Sequence, residues 1–576
     1  MSEQPKGMRK GLTRYGDEGF SLYLRKSFIK AMGYTDDALD RPIVGITNTY
    51  SGFNPCHGNV PDLVEAIKRG VMLAGGLPVD FPTISIHESF SYPTSMFMRN
   101  LMSIDVEEMV RAQPMDAVVL IGGCDKTVPA LLMGAASAGV PAIVEVTGPM
   151  STGSHRGERL GACTDCRRLW GRHRAGEIDA EEIEQITDQL VPSTGTCCVM
   201  GTASTMALVT EALGMMLPGG AAIPATVADR RRHAERTGTR AVELAREDLT
   251  PQQIMTPAAF DNALRVLQAT GGSTNGLVHL AAVMGRLGFA LDLERFDALG
   301  RETPVLVDLK PSGQHYMEDL YKAGGLAPVL RELRELLDLD CVTVTGKTLG
   351  EDLDAAPAPW PQDVVRTRDN PINAEGGMAV LHGNLAPDTA IIKRSAASPQ
   401  LLQHEGRAVV FDSMEDLVAR IDRDDLDVNA DDVLVMRNAG PIGAPGMPES
   451  GYLPIPQKLA RQGVKDMVRI SDARMSGTAF GTIVLHVSPE SAAGGPLAIV
   501  RSGDRIRLDT EARRLELLVD AAEIARRLAA WTPPAPLPGA ERGYHRLYRE
   551  QVNQAPRGCD FEFLTAAPRR GTASTG

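Results

Sequence analysis

The sequence predicts an α/β N-terminal domain with a largely parallel sheet, over residues 1–362, and an all-β, barrel-like C-terminal domain over residues 363–576. Three observations carry this. Apolar strand-like runs alternate with helical patterns through the first part of the chain, as strand–helix–strand units do. A proline- and alanine-rich stretch, Ala355–Gln362, then breaks the pattern as a linker or long loop does. Beyond it, short apolar runs separated by turn residues take over, which suits a barrel or sandwich. A length of 576 residues is itself too great for one ordinary core.

The elements follow in order. Val44–Asn48 reads as a strand. A helix starts near Asp62, with Leu63, Ala66, Ile67, Val71 and Ala74 on one face, and Gly75-Gly76 stops it. A strand at Val79–Ile86, a helix at Pro93–Arg111 and a strand at Ala117–Ile121 come next. Pro129–Ala138 is helical and Pro141–Val146 extended. Helical patterns then dominate, among them Ala180–Leu190, Gly201–Leu217 and Ala258–Ala269. After the break, strands are predicted at Met378–Leu381, Ala408–Phe411, Val433–Met436, Thr482–Val487 and Ala498–Val500. Arg505–Leu508 and Leu515–Val519 read as the two arms of a hairpin. The tail after about Ala566 is small and polar, and is expected to be disordered.

Composition excludes several classes. Hydrophobic residues at 43% and charged residues at 23% fit a globular enzyme rather than a disordered chain. A net charge of −13 leaves no broad basic footprint for nucleic acid. Residues 1–30 carry scattered charges and no apolar signal-peptide core, so a cytoplasmic protein is expected. Thr127–Val144 and Val191–Thr210 lack charge, but Pro, Gly, Ser and Thr interrupt both. They read as buried helix and strand, not as membrane spans.

The eight cysteines are Cys56, Cys124, Cys163, Cys166, Cys197, Cys198, Cys341 and Cys559. In a large chain of this kind, metal, cluster or redox chemistry competes with plain buried thiols, and a disulfide framework is not expected. Position is the informative signal. Cys56 lies in the loop after the first strand, Glu88 follows the second, and Cys124-Asp125-Lys126 follows the third. Open α/β sheets bind ligands beyond the carboxyl ends of their strands, so these residues are expected to share one crevice. Cys197 and Cys198 sit before a predicted helix, whose N-terminus favours anionic groups.

Plainer readings stand beside these. Cys341 and Cys559 read as small buried hydrophobes. Cys163-Thr-Asp-Cys166 has the spacing of zinc or redox sites but lacks a second such pair. Gly440–Gly451 reads GPIGAPGMPESG, a turn-rich loop shaped for close backbone approach and carrying one carboxylate, Glu449. Ile470–Thr478 reads ISDARMSGT, with Ser476 after a strand-like run. A serine beside glycine is usually a turn or cap residue.

Taken together, several segments resemble one family. CDKTVPALLMGAAS resembles the first signature of the dihydroxy-acid and phosphogluconate dehydratases. GTCCVMGTASTM, GGSTN, GNLAP, KRSAASP, GPIGAPGMPE and SDARMSGTAFGT are similar to further blocks of that family, in the same order, from about residue 10 to residue 565. The resemblance implies an α/β domain followed by a β-barrel, and a homodimer or homotetramer. It implies Cys56, Cys124 and Cys197 as ligands of an iron–sulfur cluster. Glu88, Asp125 and Glu449 match magnesium ligands, and Lys126 matches a lysine that some members carbamylate into an oxygen ligand. Ser476 matches the proposed general base, with Thr478 beside it.

That set makes chemical sense for loss of water. A cluster on three cysteines keeps one iron open as a Lewis acid for the C3 hydroxyl. Mg2+ on oxygen ligands acidifies the C2 proton and stabilises the enolate. SDARMSGT resembles the sugar-acid branch, such as the L-arabinonate and D-xylonate enzymes, which implies 2Fe–2S in preference to 4Fe–4S. The expected substrate is thus a sugar acid such as L-arabinonate, D-xylonate or D-gluconate. The alternative is 2,3-dihydroxyisovalerate, the substrate of branched-chain amino-acid synthesis. His57 departs from the family's usual asparagine, which puts the local pocket in question. An iron–sulfur electron carrier and a zinc enzyme built on Cys163 and Cys166 are the readings from other classes.

Overall fold

The computed structural model describes residues 6–12, 15–535 and 539–566; the tail expected to be disordered lies almost wholly outside them. Strands β1 (Ile43–Asn48), β2 (Leu77–Pro82), β3 (Ala117–Gly122) and β4 (Ala142–Val146) form a parallel sheet in the order β2-β1-β3-β4. Every residue of β3 and β4 is buried, as a parallel sheet covered on both faces requires. Helices Val60–Leu73, Ser95–Ala112 and Thr127–Ala138 connect the strands. Helix Val60–Leu73 crosses helix Ala228–Glu247 at glycines on both sides. A Cβ on Gly70 would lie 1.9 Å from the Glu235 carbonyl oxygen, and one on Gly238 would lie 2.2 Å from that of Ile67. Only glycine allows backbones this close.

A small hairpin, β5 (Gly153–His155) and β6 (Glu158–Leu160), and a largely helical stretch follow. Residues 356–362 form neither helix nor strand. The remaining strands are β7 (Ala379–Gly383), β8 (Ala386–Ile392), β9 (Gln403–Phe411), β10 (Val433–Met436), β11 (Arg469–Ser471), β12 (Ile483–Ser488), β13 (Arg505–Asp509) and β14 (Arg514–Leu517). They close into a barrel, β10-β11-β12-β8-β7-β14-β13-β9, filled by residues such as Leu381, Ile392, Val435, Ile470, Val484 and Leu515. Closure leaves no free edge. The chain then returns to the first part. Tyr548 and Phe561 pack with Phe97, and the buried Arg286 pairs with Asp560.

The structure corrects four expectations. The second strand ends at Pro82 rather than Ile86, because after the Asn48–Pro82 pairing the chain leaves the sheet and the Ile84 amide turns to Asp105. Glu88 therefore stands at the end of a loop, not directly at a strand end. Ala498–Val500 is no strand: the Pro496–Ile499 segment winds as a 3-10 turn, entered through Gly494 at φ 84°. β9 begins at Gln403 rather than Ala408, since its polar start pairs with β13. The C-terminal part is the barrel expected but carries helices as well: Met414–Arg420 and Ala521–Ala529 pack on the barrel, and Gly543–Gln551 packs on Phe97 of the first part. Among the described residues, no helix is long and apolar enough to cross a membrane.

Candidate active site

Strands β2, β1 and β3 lie side by side and run parallel, so their carboxyl ends open on one edge. Cys56 lies beyond β1 in the short turn Pro55–His57, and Glu88 opens the turn Glu88–Phe90 beyond β2. Cys124, Asp125 and Lys126 join β3 to helix Thr127–Ala138. The barrel supplies the opposing wall. Glu449 begins the turn Glu449–Tyr452, and Arg474, Ser476 and Thr478 lie in the loop between β11 and β12.

Two donor sets result. One oxygen each from Glu88, Asp125 and Glu449 lies within 4.8 Å of the others. The thiols of Cys56 and Cys124 and a ring nitrogen of His87 meet the same limit. The sets adjoin, with Cys124 Sγ 3.6 Å from Asp125 Oδ1. Soft sulfur and nitrogen thus stand beside hard oxygen, a pairing that suits an iron-type centre next to a magnesium-type one.

Charge explains the carboxylate set. Three close carboxylates repel one another unless cations intervene. Lys126, fully buried, pairs with Asp125 and places Nζ 3.8 Å from Glu88 and 3.7 Å from Glu449. Arg474, also buried, pairs with Glu449 and reaches Glu88 at 3.2 Å. Burial favours neutral Glu88, but Arg474 and Lys126 outweigh it and hold its pKa down to about 2. For Glu449, burial wins over Arg474 and its pKa lies above the usual range.

The thiols behave in the opposite way. A hydrogen bond with Cys124, and then burial, push the Cys56 thiol well up. Cys197 is raised as well: its contact with Cys163 favours the thiolate, but burial and the surrounding thiols prevail. Thiols held like this keep their protons until a metal's charge displaces them, so the donor chemistry fits a metal cluster. Cys197 stands apart from the Cys56–Cys124–His87 trio. Its Sγ lies 3.0 Å from that of Cys163, and Cys56 is among the thiols that push it up. It precedes the helix, which begins only at Thr202, so the anticipated effect of the helix N-terminus is weak there.

His57 is a brace rather than a pocket wall. It is fully buried, with Nδ1 2.8 Å from the Thr49 carbonyl oxygen. Its Nε2 accepts from the amides of Gly123 at 3.0 Å and Cys124 at 3.1 Å. A carbonyl oxygen only accepts and an amide N–H only donates, so Nδ1 carries the proton. Burial lowers the pKa to about 4, which keeps the ring neutral. The departure from asparagine thus acts on the junction between the Cys56 and Cys124 loops.

Ser476 and Thr478 share a hydrogen bond, Oγ to Oγ1 2.8 Å. Residues quoted above without a role hold their loop. Asn275 of GGSTN donates to the Met475 carbonyl oxygen at 3.0 Å and to Glu449 at 3.4 Å. Lys393 of KRSAASP, fully buried, donates to the Gly477 carbonyl oxygen at 3.3 Å. The sequence reading missed His87, Asn275, Lys393 and Arg474 as site residues. Arg474 left the clearest signal, an arginine two residues before Ser476 in the ISDARMSGT segment. Cys559 packs against Met447 and Cys341 lies near Asn262, and neither belongs to the two donor sets.

Residues 41–352 match the family model for the dihydroxy-acid/6-phosphogluconate dehydratase N-terminal region, and residues 363–559 match the C-terminal one. The chain belongs to the dihydroxy-acid/6-phosphogluconate dehydratase family. It is therefore a dehydratase, a hydro-lyase. Among its relatives, an L-arabonate dehydratase of Azospirillum brasilense is 50% identical, over 96% of each chain. An L-arabinonate dehydratase of Rhizobium leguminosarum bv. trifolii is 47% identical, over 97% of this chain and 96% of its own. A dihydroxy-acid dehydratase of Acetivibrio thermocellus is 40% identical, over 95% of this chain and 98% of its own. Within this family, the convergence of the two donor sets on the Ser476 loop marks the candidate centre of the dehydratase.

Proposed function

We propose that this dehydratase removes water from a sugar acid, an aldonate such as L-arabinonate, D-xylonate or D-gluconate, to give the 2-keto-3-deoxy acid. The observation that carries it is the meeting of a thiol set and a carboxylate set at the junction of sheet and barrel, where Arg474, on the loop that carries Ser476, pairs with Glu88 and Glu449. The names of the relatives at 47% and 50% identity support the sugar-acid choice.

The residues take these roles. Cys56, Cys124 and Cys197 hold an iron–sulfur cluster, 2Fe–2S in preference to 4Fe–4S, and Glu88, Asp125 and Glu449 hold Mg2+. When bound, the cluster supplies a Lewis acid for the departing C3 hydroxyl and Mg2+ supplies charge at the carboxylate and C2 oxygen. Lys126, set among the three carboxylates, joins them as an oxygen ligand if carbamylated. Ser476 Oγ takes the C2 proton. Serine is a weak base in water, and the nearby cationic charge lowers the cost of its deprotonated form. Thr478 orients that oxygen through their hydrogen bond. Asn275 and Lys393 fix the loop by its carbonyls. The reading extends to a cytoplasmic homodimer or homotetramer, which sedimentation would check.

The test is a 2-oxo acid assay on protein purified without oxygen and supplied with Mg2+. Its panel covers pentonates, hexonates and dihydroxyisovalerate, and iron and sulfide are measured alongside. Product from pentonates with about two irons per chain is expected of a 2Fe–2S sugar-acid enzyme. Product from dihydroxyisovalerate alone would move the protein to the branched-chain reaction. Zinc without iron or sulfide would remove the cluster.

A further inference from the structure

Cys163 has no part in the roles above, yet it lies against them. It caps helix Thr164–Ala175, and its Sγ is 3.0 Å from that of Cys197. On the other flank, Cys56 and Cys124 form a thiol pair of their own. The thiols therefore stand as two pairs, Cys56 with Cys124 and Cys197 with Cys163.

The backbone holds Cys163 in place. Its φ of 76° is unusual for a residue with a side chain. Neighbours lock this conformation. Thr164 Oγ1 donates to the Thr478 carbonyl oxygen at 3.0 Å, joining the segment to the Ser476 loop. Asp165 accepts from the Gly161 amide at 2.7 Å and pairs with Lys310 at 3.0 Å. Cys166 donates its thiol to the Cys163 carbonyl oxygen at 2.9 Å. That bond turns Cys166 back on its own helix, so Cys163 is the thiol that faces Cys197.

We propose that Cys163 is a fourth, exchangeable thiolate ligand of the cluster held by Cys56, Cys124 and Cys197. This rests on the cluster reading above. Simple clusters favour four cysteines, and a fourth thiolate closes the coordination position that dehydration needs open. In the substrate-free protein Cys163 would fill that position and shield it from oxygen. The substrate hydroxyl would displace it. The balance is one of protons only: the thiol loses its proton when it ligates and regains one when substrate takes its place. No oxidant or reductant takes part.

The test uses holoenzyme reconstituted without oxygen, with iron and sulfide counted first, in the native protein and in Cys163→Ser and Cys163→Gly. Glycine accepts a φ of 76° without strain, so the second variant keeps the fold within reach. The readouts are the Mössbauer and circular-dichroism spectra without substrate and the cluster's half-life in air. Both variants are expected to hold full iron and sulfide and to differ from the native protein before substrate is added. Their spectra should shift less on adding a pentonate, and their clusters should decay several-fold faster in air. Identical substrate-free spectra and decay, with clusters intact, would overturn the proposal. So would loss of the cluster from folded variants, which would make Cys163 a permanent ligand. A native protein that binds no iron or sulfide would instead overturn the cluster reading itself.

Discussion

Arg474 and Glu88 are 386 residues apart in sequence and 3.2 Å apart in space. Arg474 comes from a barrel loop and Glu88 from the loop beyond β2, so their contact crosses the junction where the site lies. The guanidinium also reaches Thr94 at 2.8 Å and pairs with Glu449. Removing it leaves close carboxylates facing one another in a buried place. Arg474→Met is expected to cost about 3–5 kcal/mol of stability, the usual penalty for orphaning a buried ion-pair partner. Thermal unfolding should show this, and Mg2+ should restore part of the loss by supplying the missing charge. A variant as stable as the native protein, with no response to Mg2+, would contradict the role given to these charges.

Ser476→Ala removes the proposed base and leaves every thiol in place. Turnover is expected to fall by roughly 10²–10⁴-fold, the range for loss of a positioned acid or base. Iron, sulfide and the visible spectrum should stay unchanged. Full activity in this variant would take Ser476 out of the mechanism.

Much of this was legible in the sequence, for physical reasons. β3 and β4 are buried on both faces, so they read as unbroken apolar runs, and the parallel sheet followed from their alternation with helices. The placing of Cys56, Glu88 and Cys124 on one edge followed from the same rule. What failed was set by partners distant in sequence. The start of β9 is polar and becomes a strand only because β13 pairs with it. β8 contains Pro387 and Asp388, poor strand formers, and was not foreseen as a strand. His57, Asn275 and Lys393 acquire roles only when chain ends meet. Nothing local says that Asn275 will hold Met475 or that Lys393 will hold Gly477.

Gly477 separates Ser476 from Thr478 and leaves no room for a side chain. A Cβ there would lie 2.6 Å from Ser273 Cβ and 2.8 Å from the Thr202 backbone nitrogen. The Thr202 nitrogen starts a buried helix and cannot withdraw cheaply. Gly477→Ala should therefore push the loop away from Ser273 and Thr202 and shift Ser476 with it. A displacement near 1 Å can cost about 10²-fold in rate, and that loss of turnover is expected with the cluster still bound. Steady-state kinetics beside metal analysis would decide it, and unchanged kcat would show that the packing yields.

Lys393 gives the clearest dependence on pH. It is fully buried, and burial alone lowers its pKa from the ordinary 10.5 to about 7. Between those values the unfolded chain carries the proton and the folded chain does not. Stability therefore rises with pH across that window, by about 1.4 kcal/mol per unit, and levels off below it. Lys393→Met removes the titrating group and keeps most of the bulk. Its stability relative to the native protein should improve as pH falls from 10 towards 7, as read from denaturant midpoints. Turnover should nevertheless fall, because the Gly477 carbonyl loses its donor and the Ser476 loop loosens. A stability difference that stays flat across the window would mean that Lys393 keeps its charge when buried.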